Sequence, residues 1–326
     1  MRIVTLEEHV IFPEITALVP KDKVGGFNQS PMMKKLAPKL ADVTGERLAL
    51  MDKSEISVQV LSVVGLGANV LSAADGPAYA RKYNDMLAEK IGTQPNRFAA
   101  FAHLPTTNPQ AAAEELERTV KTHHFVGALI NGLTNGDFLD DEKYAPILQK
   151  AEELGVPIYL HPGLPPEEVV NAYYSNLPGQ SGTTLSVAGW GWHSETAIHI
   201  FRLIISGTFD KYPTLKLIIG HMGEMLPMMM ARCDGMFRPG ENGVNQRTIS
   251  QTLKSQVYIT TSGIFTQPPL RIAIETFGID NIMFSVDYPF SPNEKGKEFL
   301  DNIDLPVEDK EKIAYKNADR ILGLKV

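Results

Sequence analysis

A chain of 326 residues, 43% hydrophobic and 21% charged, has an ordinary globular make-up and is long enough for one large α/β domain. A formal net charge of −7 with no basic cluster removes the electrostatic footprint that nucleic acid or an anionic membrane needs, so a small-molecule partner is expected. The single cysteine, Cys233, excludes an internal disulfide and a Cys-rich metal cluster; with no membrane-length apolar run and no signal-peptide pattern after Arg2, the sequence reads as a soluble, cytoplasmic protein.

In chain order, short β-rich runs are predicted at 3–6, 57–64, 97–104, 125–131, 157–161, 215–221, 257–262 and 281–287. Helical patterns follow them at 45–53, 77–92, 109–122, 143–154, 194–206, 223–233, 268–276 and from 307 onward, the third opened by Pro109 before a run of Ala and Glu. Strands each followed by a helix predict a single (β/α)8 TIM-type barrel over residues 1–326, and near-continuous apolar strands such as VLSVV and LIIG suit a parallel sheet buried on both faces. A doubly wound open sheet is the competitor, but no Gly-rich phosphate turn follows the first strand. Two segments exceed normal loop length, 10–44 after the first strand and 162–193 after the fifth. Both follow strands, which places them on the catalytic face of a barrel.

The first run ends in Glu7, Glu8 and His9 with no turn between apolar run and charge. Residues two apart on an extended chain share a side, so Glu7 and His9 point together while Glu8 points away. In a barrel all strand ends meet at one rim, where His161, His221 and Asp287 also arrive. Glu7, His9, His161 and Asp287 supply two imidazole nitrogens and two carboxylates, enough to hold one divalent cation with positions left open. A lone His at a strand end is more often a hydrogen-bonded core residue than a ligand; four ligand-type residues at three strand ends favour the metal. Such a donor set suits zinc or manganese, and magnesium less well.

The stretches LEEHV at 6–10, FVGALING at 125–132, YLHP at 159–162, ETAIHIFRLIISGTFDKYP at 195–213, LKLIIGHMGEMLP at 215–227, ITTSG at 259–263 and FSVDYPF at 284–290 together resemble the amidohydrolase superfamily. Within it, the chain is similar to the metal-dependent, non-oxidative decarboxylases of hydroxylated aromatic acids, the γ-resorcylate and 2,3-dihydroxybenzoate decarboxylase group. The Glu7-Glu8-His9 start matches the ExH form of that group in place of the general HxH. FVGALING carries no lysine, so the carboxylated-lysine bridge of binuclear members is missing and the resemblance implies a single metal.

The resemblance implies that Glu7, His9, His161 and Asp287 ligate this metal, that Asp287 exchanges a proton with the ring carbon, and that His221 with Glu224 forms a second catalytic pair. The spacing of GHMGE agrees: a carboxylate three residues on can fix the tautomer of His221, although Glu224 also suits the first turn of a helix on its own account. Arg232 is a candidate for the substrate carboxylate, or a surface or interface cation; Asn131 is a candidate pocket amide, or a plain strand-end amide. Phe290, with Trp190, Trp192 and Tyr288, is a candidate wall of an aromatic pocket, with core packing as the alternative. The Met-dense stretch MLPMMMARCDGM reads as core or subunit-interface filler, and a homo-oligomer, dimer or tetramer, is expected. His103, His193 and His199 receive no ligand role.

The expected function is decarboxylation of a dihydroxybenzoate-like aromatic carboxylic acid by a carboxy-lyase that uses one divalent metal ion and no organic cofactor. The alternative is a metal-dependent hydrolase of the same superfamily acting on an ester, lactone or amide, with Asp287 as base.

Overall fold

The staves of the barrel are short, buried strands in which Val, Ile, Leu and Ala predominate. The computed structural model describes residues 1–20, 30–65 and 67–324. Its strands are β1 (Val4–Val10), β2 (Val58–Val63), β3 (Phe98–Ala100), β4 (Ala102–His103), β5 (Ala128–Asn131), β6 (Ile158–His161), β7 (Leu217–Ile219), β8 (Val257–Thr260) and β9 (Ile282–Met283). All the neighbouring pairs are parallel. β3 and β4 are two halves of one stave: the Phe101 N–H still donates to Leu61 O at 2.9 Å and that of Ala102 to Gly127 O at 2.8 Å.

Closure comes from the last stave meeting the first. The His9 N–H donates to Tyr288 O at 2.8 Å, and Ser285 Oγ accepts from the backbone of Leu6 (3.0 Å) and Glu7 (2.7 Å). Full closure leaves no edge strand unpaired, and the result is the predicted (β/α)8 barrel. Buried apolar side chains from Ile3 to Leu322 form one connected cluster.

Helices wrap the staves, and their boundaries follow from local chemistry. Pro109–His123 starts where Asn108 Oδ1 accepts from Ala111 N, buries Ala112, Ala113 and Leu116, and stops at His124 in the left-handed region. The helix predicted over 223–233 is corrected: His221, Met222, Gly223, Glu224 and Met225 all have positive φ, and regular helix resumes only at Met230–Met236. Left-handed backbone cannot continue a right-handed helix. Among the described residues, three helices of eight residues or more went unpredicted, Pro31–Ala41, Ile249–Gln256 and Asn293–Asp301. The first lies inside the expected 10–44 loop, of which residues 21–29 are outside the described set. The 162–193 segment is a chain of short turns, with helical pieces at Glu167–Val169 and Ser181–Ser186, ahead of helix Gly191–Ile205. Among the described residues no helix is long and apolar enough to cross a membrane.

Candidate active site

At the C-terminal rim the barrel opens into a cavity of about 490 Å³ whose lining includes His161, His221, Asp287, Asn131, Trp192, His193 and Phe290. Both long segments contribute, Met32 from the first and Pro162, Gly163, Leu164 and Ala188 from the second. Just past the paired strand ends Asn131 and His161 the backbones approach closely: a Cβ on Gly132 (φ +53°) would lie 2.6 Å from Gly163 Cα, so the crossing needs glycine at 132 and 163.

Glu7, His9 and His161 each direct one ligand-type atom into a common space, all within 4.8 Å of one another. His161 Nε2 lies 3.3 Å from Glu7 Oε1, and His9 Nε2 lies 3.2 Å from Asp287 Oδ1. His161 Nδ1 faces Pro162 O at 2.8 Å and donates to it, so in the neutral ring Nε2 carries a lone pair aimed at an anionic oxygen. Glu7 Oε1 and His9 Nε2 are buried and have no hydrogen-bond partner. Two electron-rich atoms facing each other across such a gap are stabilised by a cation between them. These residues therefore fit a divalent metal, with two imidazole nitrogens and two carboxylates as donors.

The backs of the ligands are fixed. Glu7 Oε2 accepts from Tyr159 Oη, and Tyr159 also meets Thr260 Oγ1 at 2.9 Å. Asp287 sits at φ +70°, an uncommon conformation for a non-glycine residue. Glu8, pointing away from the cavity as the strand alternation requires, holds it there. Its carboxylate accepts from the N–H groups on either side of Asp287, those of Val286 (3.1 Å) and Tyr288 (3.1 Å), and from Ser285 Oγ (3.1 Å). Behind it, the buried Arg47 donates to His9 O at 2.6 Å and lies 4.7 Å over the Tyr288 ring.

Burial lowers His9 to about 4, which leaves the neutral, ligand-competent ring. Burial alone would raise Glu7, but His221 and His161 hold its carboxyl well below the usual range. Desolvation and the nearby Glu7 push Asp287 up to about 8. Burial opposes a charge on His221, yet Glu224 and Glu7 outweigh it and raise the ring to about 10. A divalent cation among these oxygens acts against the rise at Asp287.

The second pair also meets: His221 Nδ1 lies 2.7 Å from Glu224 Oε1, and Glu224 is fully buried. A third member, His193, was passed over in the sequence because a histidine thirty-odd positions away carries no spacing signal. Its Nδ1 lies 2.6 Å from Glu224 Oε2. Asn131 faces the cavity, its Nδ2 donating to Gly65 O at 3.2 Å while Oδ1 is buried without a partner. Phe290 and Trp192 line the cavity, whereas Trp190 is 52% exposed and Tyr288 packs against Arg47; neither of these two is among the lining residues. Arg232 is also corrected: it is exposed on helix Met230–Met236 and does not line the cavity.

The family model described as Amidohydrolase matches residues 40–324. The chain belongs to the amidohydrolase family. Among curated relatives of this amidohydrolase, the decarboxylase OrsB of Emericella nidulans is 39% identical over 294 residues, covering 88% of this chain and 87% of that protein. Among solved structures, 2,6-dihydroxybenzoate decarboxylase from Rhizobium is 35% identical with a TM-score of 0.89 over 99% of both chains. The dihydroxybenzoic acid decarboxylase of Polaromonas sp., solved with bound manganese and the inhibitor 2-nitroresorcinol, is 34% identical with a TM-score of 0.88, covering 99% of this chain and 97% of that one.

Proposed function

We propose that this amidohydrolase is a metal-dependent, non-oxidative decarboxylase of a dihydroxybenzoate-type acid, with Glu7, His9, His161 and Asp287 holding one divalent ion, manganese or zinc. The observation that carries the reading is the pair of partnerless buried atoms, Glu7 Oε1 and His9 Nε2, which lie 3.3 and 3.2 Å from His161 and Asp287 of the cavity lining. The near full-length likeness to dihydroxybenzoate decarboxylases, one of them holding manganese, gives it a substrate class.

When bound, the cation supplies Lewis-acid and templating chemistry for a carboxylate with an ortho hydroxyl. Everything else falls to the chain. Among the described lining residues none is Lys or Arg, so apart from the His221 ring the cavity offers a substrate carboxylate no cationic side chain in place of that centre. Phe290 and Trp192 sandwich or edge the ring. Asn131 Oδ1 accepts from a ring hydroxyl, which gives its buried oxygen the partner it lacks. Asp287, on the cavity side of the ligand group, delivers a proton to the ring carbon that bears the carboxylate; the carbon–carbon bond then breaks, its electron pair returns to the ring, and carbon dioxide leaves. His221, oriented by Glu224, donates to the oxygen that gathers charge in the dearomatised intermediate.

Two assembly-level readings accompany this. Exposed Met228 (71%), Met229 (49%) and Met236 (52%) around Arg232 support a homo-oligomer built through that face. The lone, buried Cys233 supports a reducing, cytoplasmic setting.

The test is Asp287→Asn with metal content restored by excess ion. An amide ligates weakly and cannot serve as the proton donor, so loss of hydroxybenzoate ultraviolet absorbance should stop while metal is present. Near-normal turnover in that variant would remove Asp287 from the proton transfer.

A further inference from the structure

Glu224 is gripped from both sides. One oxygen faces His221 Nδ1 at 2.7 Å and the other faces His193 Nδ1 at 2.6 Å, and the two rings stand edge to face with centroids 4.8 Å apart. The second nitrogen of His193 is also engaged: Nε2 lies 3.0 Å from the carbonyl of Ala188, a residue of the long segment over the cavity. Both neighbours of the His193 ring are therefore acceptors, a carboxylate and a backbone carbonyl, so the ring binds each of them by donating. The three side chains could also be taken for a second cation site, since their ligand-type atoms cluster. Distances of 2.6 and 2.7 Å between ring nitrogens and carboxylate oxygens argue otherwise. They are those of charge-assisted N–H···O bonds, in which the nitrogens present protons and not lone pairs.

We propose that His193 is a positioning residue for the decarboxylation: it fixes Glu224 from the side opposite His221 and ties that carboxylate to the cavity loop at Ala188. The inference rests on the functional reading above for its catalytic consequence. Its structural basis is separate, because Glu224 lies fully buried and its Oε2 has no donor other than His193 among the hydrogen bonds of the described residues. Without it, a desolvated carboxylate turns to recover a second bond, and the ring of His221 turns with it. His221 Nε2, 3.7 Å from Glu7 Oε1, then leaves the position from which it reaches a substrate oxygen. The burial of Glu224 raises its carboxyl, but the neighbouring His221 and the bonds from His193 and His221 outweigh this and keep it below the usual range, as a two-sided clamp requires.

Asparagine and glutamine separate the two contacts of His193, because the amide nitrogen of Asn falls near the imidazole Nδ1 and that of Gln near Nε2. His193→Asn keeps the donor to Glu224 and loses Ala188; His193→Gln does the reverse; His193→Phe loses both. With a hydroxybenzoate that the wild type decarboxylates, the Gln and Phe variants should lose kcat by about ten- to a hundred-fold, the scale of one bond to a buried charged group, at unchanged KM and metal content. The Asn variant should stay within a few-fold of wild type. Equal kcat across the series, a loss in KM alone, or rescue by Gln and not by Asn would overturn the proposal. A second readout needs no turnover. In protein labelled with nitrogen-15 histidine, the wild type should show two strongly downfield imidazole N–H protons, both lost in Glu224→Gln and one lost in His193→Phe. A single such proton in the wild type would sink the clamp, whereas two such protons in a protein that decarboxylates no hydroxybenzoate would sink the functional reading and leave the clamp standing.

Discussion

Acid should destabilise this protein through two histidines outside the proposed catalytic group. His103 is 2% exposed, and its Nε2 accepts from the Ala68 N–H at 2.8 Å. His199 is 1% exposed and accepts from the Leu139 N–H at 2.8 Å. Both act as neutral acceptors, and protonation would turn each acceptor into a donor facing a donor. Desolvation lowers His103 to about 4; desolvation, with Arg202 adding to it, lowers His199 to about 3. Because these folded-state values lie below the unfolded value of about 6.5, the unfolded chain takes up protons first as pH falls. The stability they contribute is thus complete above about pH 6.5 and is lost as pH drops toward 4 and then 3. At 1.36 kcal/mol per unit, the loss is about 3 kcal/mol for His103 and about 5 kcal/mol for His199, together comparable to the whole stability of many proteins. Urea unfolding between pH 7 and pH 4.5, in chelator so that metal release does not enter, should show the slope of stability against pH falling by about 1.4 kcal/mol per unit in His103→Gln and again in His199→Gln, since glutamine offers a non-titrating acceptor. Equal slopes in wild type and both variants would refute the argument. The site is concerned as well: Ala68 stands beside the cavity-lining Asn69 and Val70, so loss of the His103 bond loosens a wall before the barrel melts.

Glu7→Gln and His161→Ala should each leave the purified protein depleted of metal by elemental analysis, and full occupancy in both would discard the ligand assignment. His221→Asn should retain metal while turnover falls by about a hundred-fold or more; wild-type turnover would reduce His221 to a structural role. Gly132→Ala combines a left-handed φ with a Cβ driven against Gly163, so thermal or urea unfolding should register a loss of about 2 kcal/mol or more, and an unchanged midpoint would contradict the close approach.

What could be read from the residue order was whatever depends on local pattern plus one topological rule. Alternation put Glu7 and His9 on one side of β1 and Glu8 on the other, and the rule that barrel strands deliver their ends to one rim brought His161, His221 and Asp287 beside them. Features that depend on unpatterned backbone were hidden. The GHMGE turn reads as the start of a helix because its residues tolerate helix, yet five consecutive positive φ values reshape it and aim His221 and Glu224 at each other. Arg232 looked like a partner for substrate because a regular helix from 223 would have carried it along one face; the broken segment leaves it outside. His193 is joined to Glu224 only by the fold of the 162–193 segment, and His103 and His199 gain their tasks from backbone N–H groups that carry no residue-type signal.

The most direct test of the decarboxylase reading is turnover of dihydroxybenzoates by the metal-loaded wild type in heavy water, with the aromatic product analysed by mass spectrometry and proton NMR. Carbon dioxide should be released and the phenolic product should carry one deuterium at the carbon the carboxylate left, with slow exchange at that carbon when product alone is returned to the enzyme. Intact acids throughout the panel, alongside hydrolysis of an ester, lactone or amide, would contradict that reading.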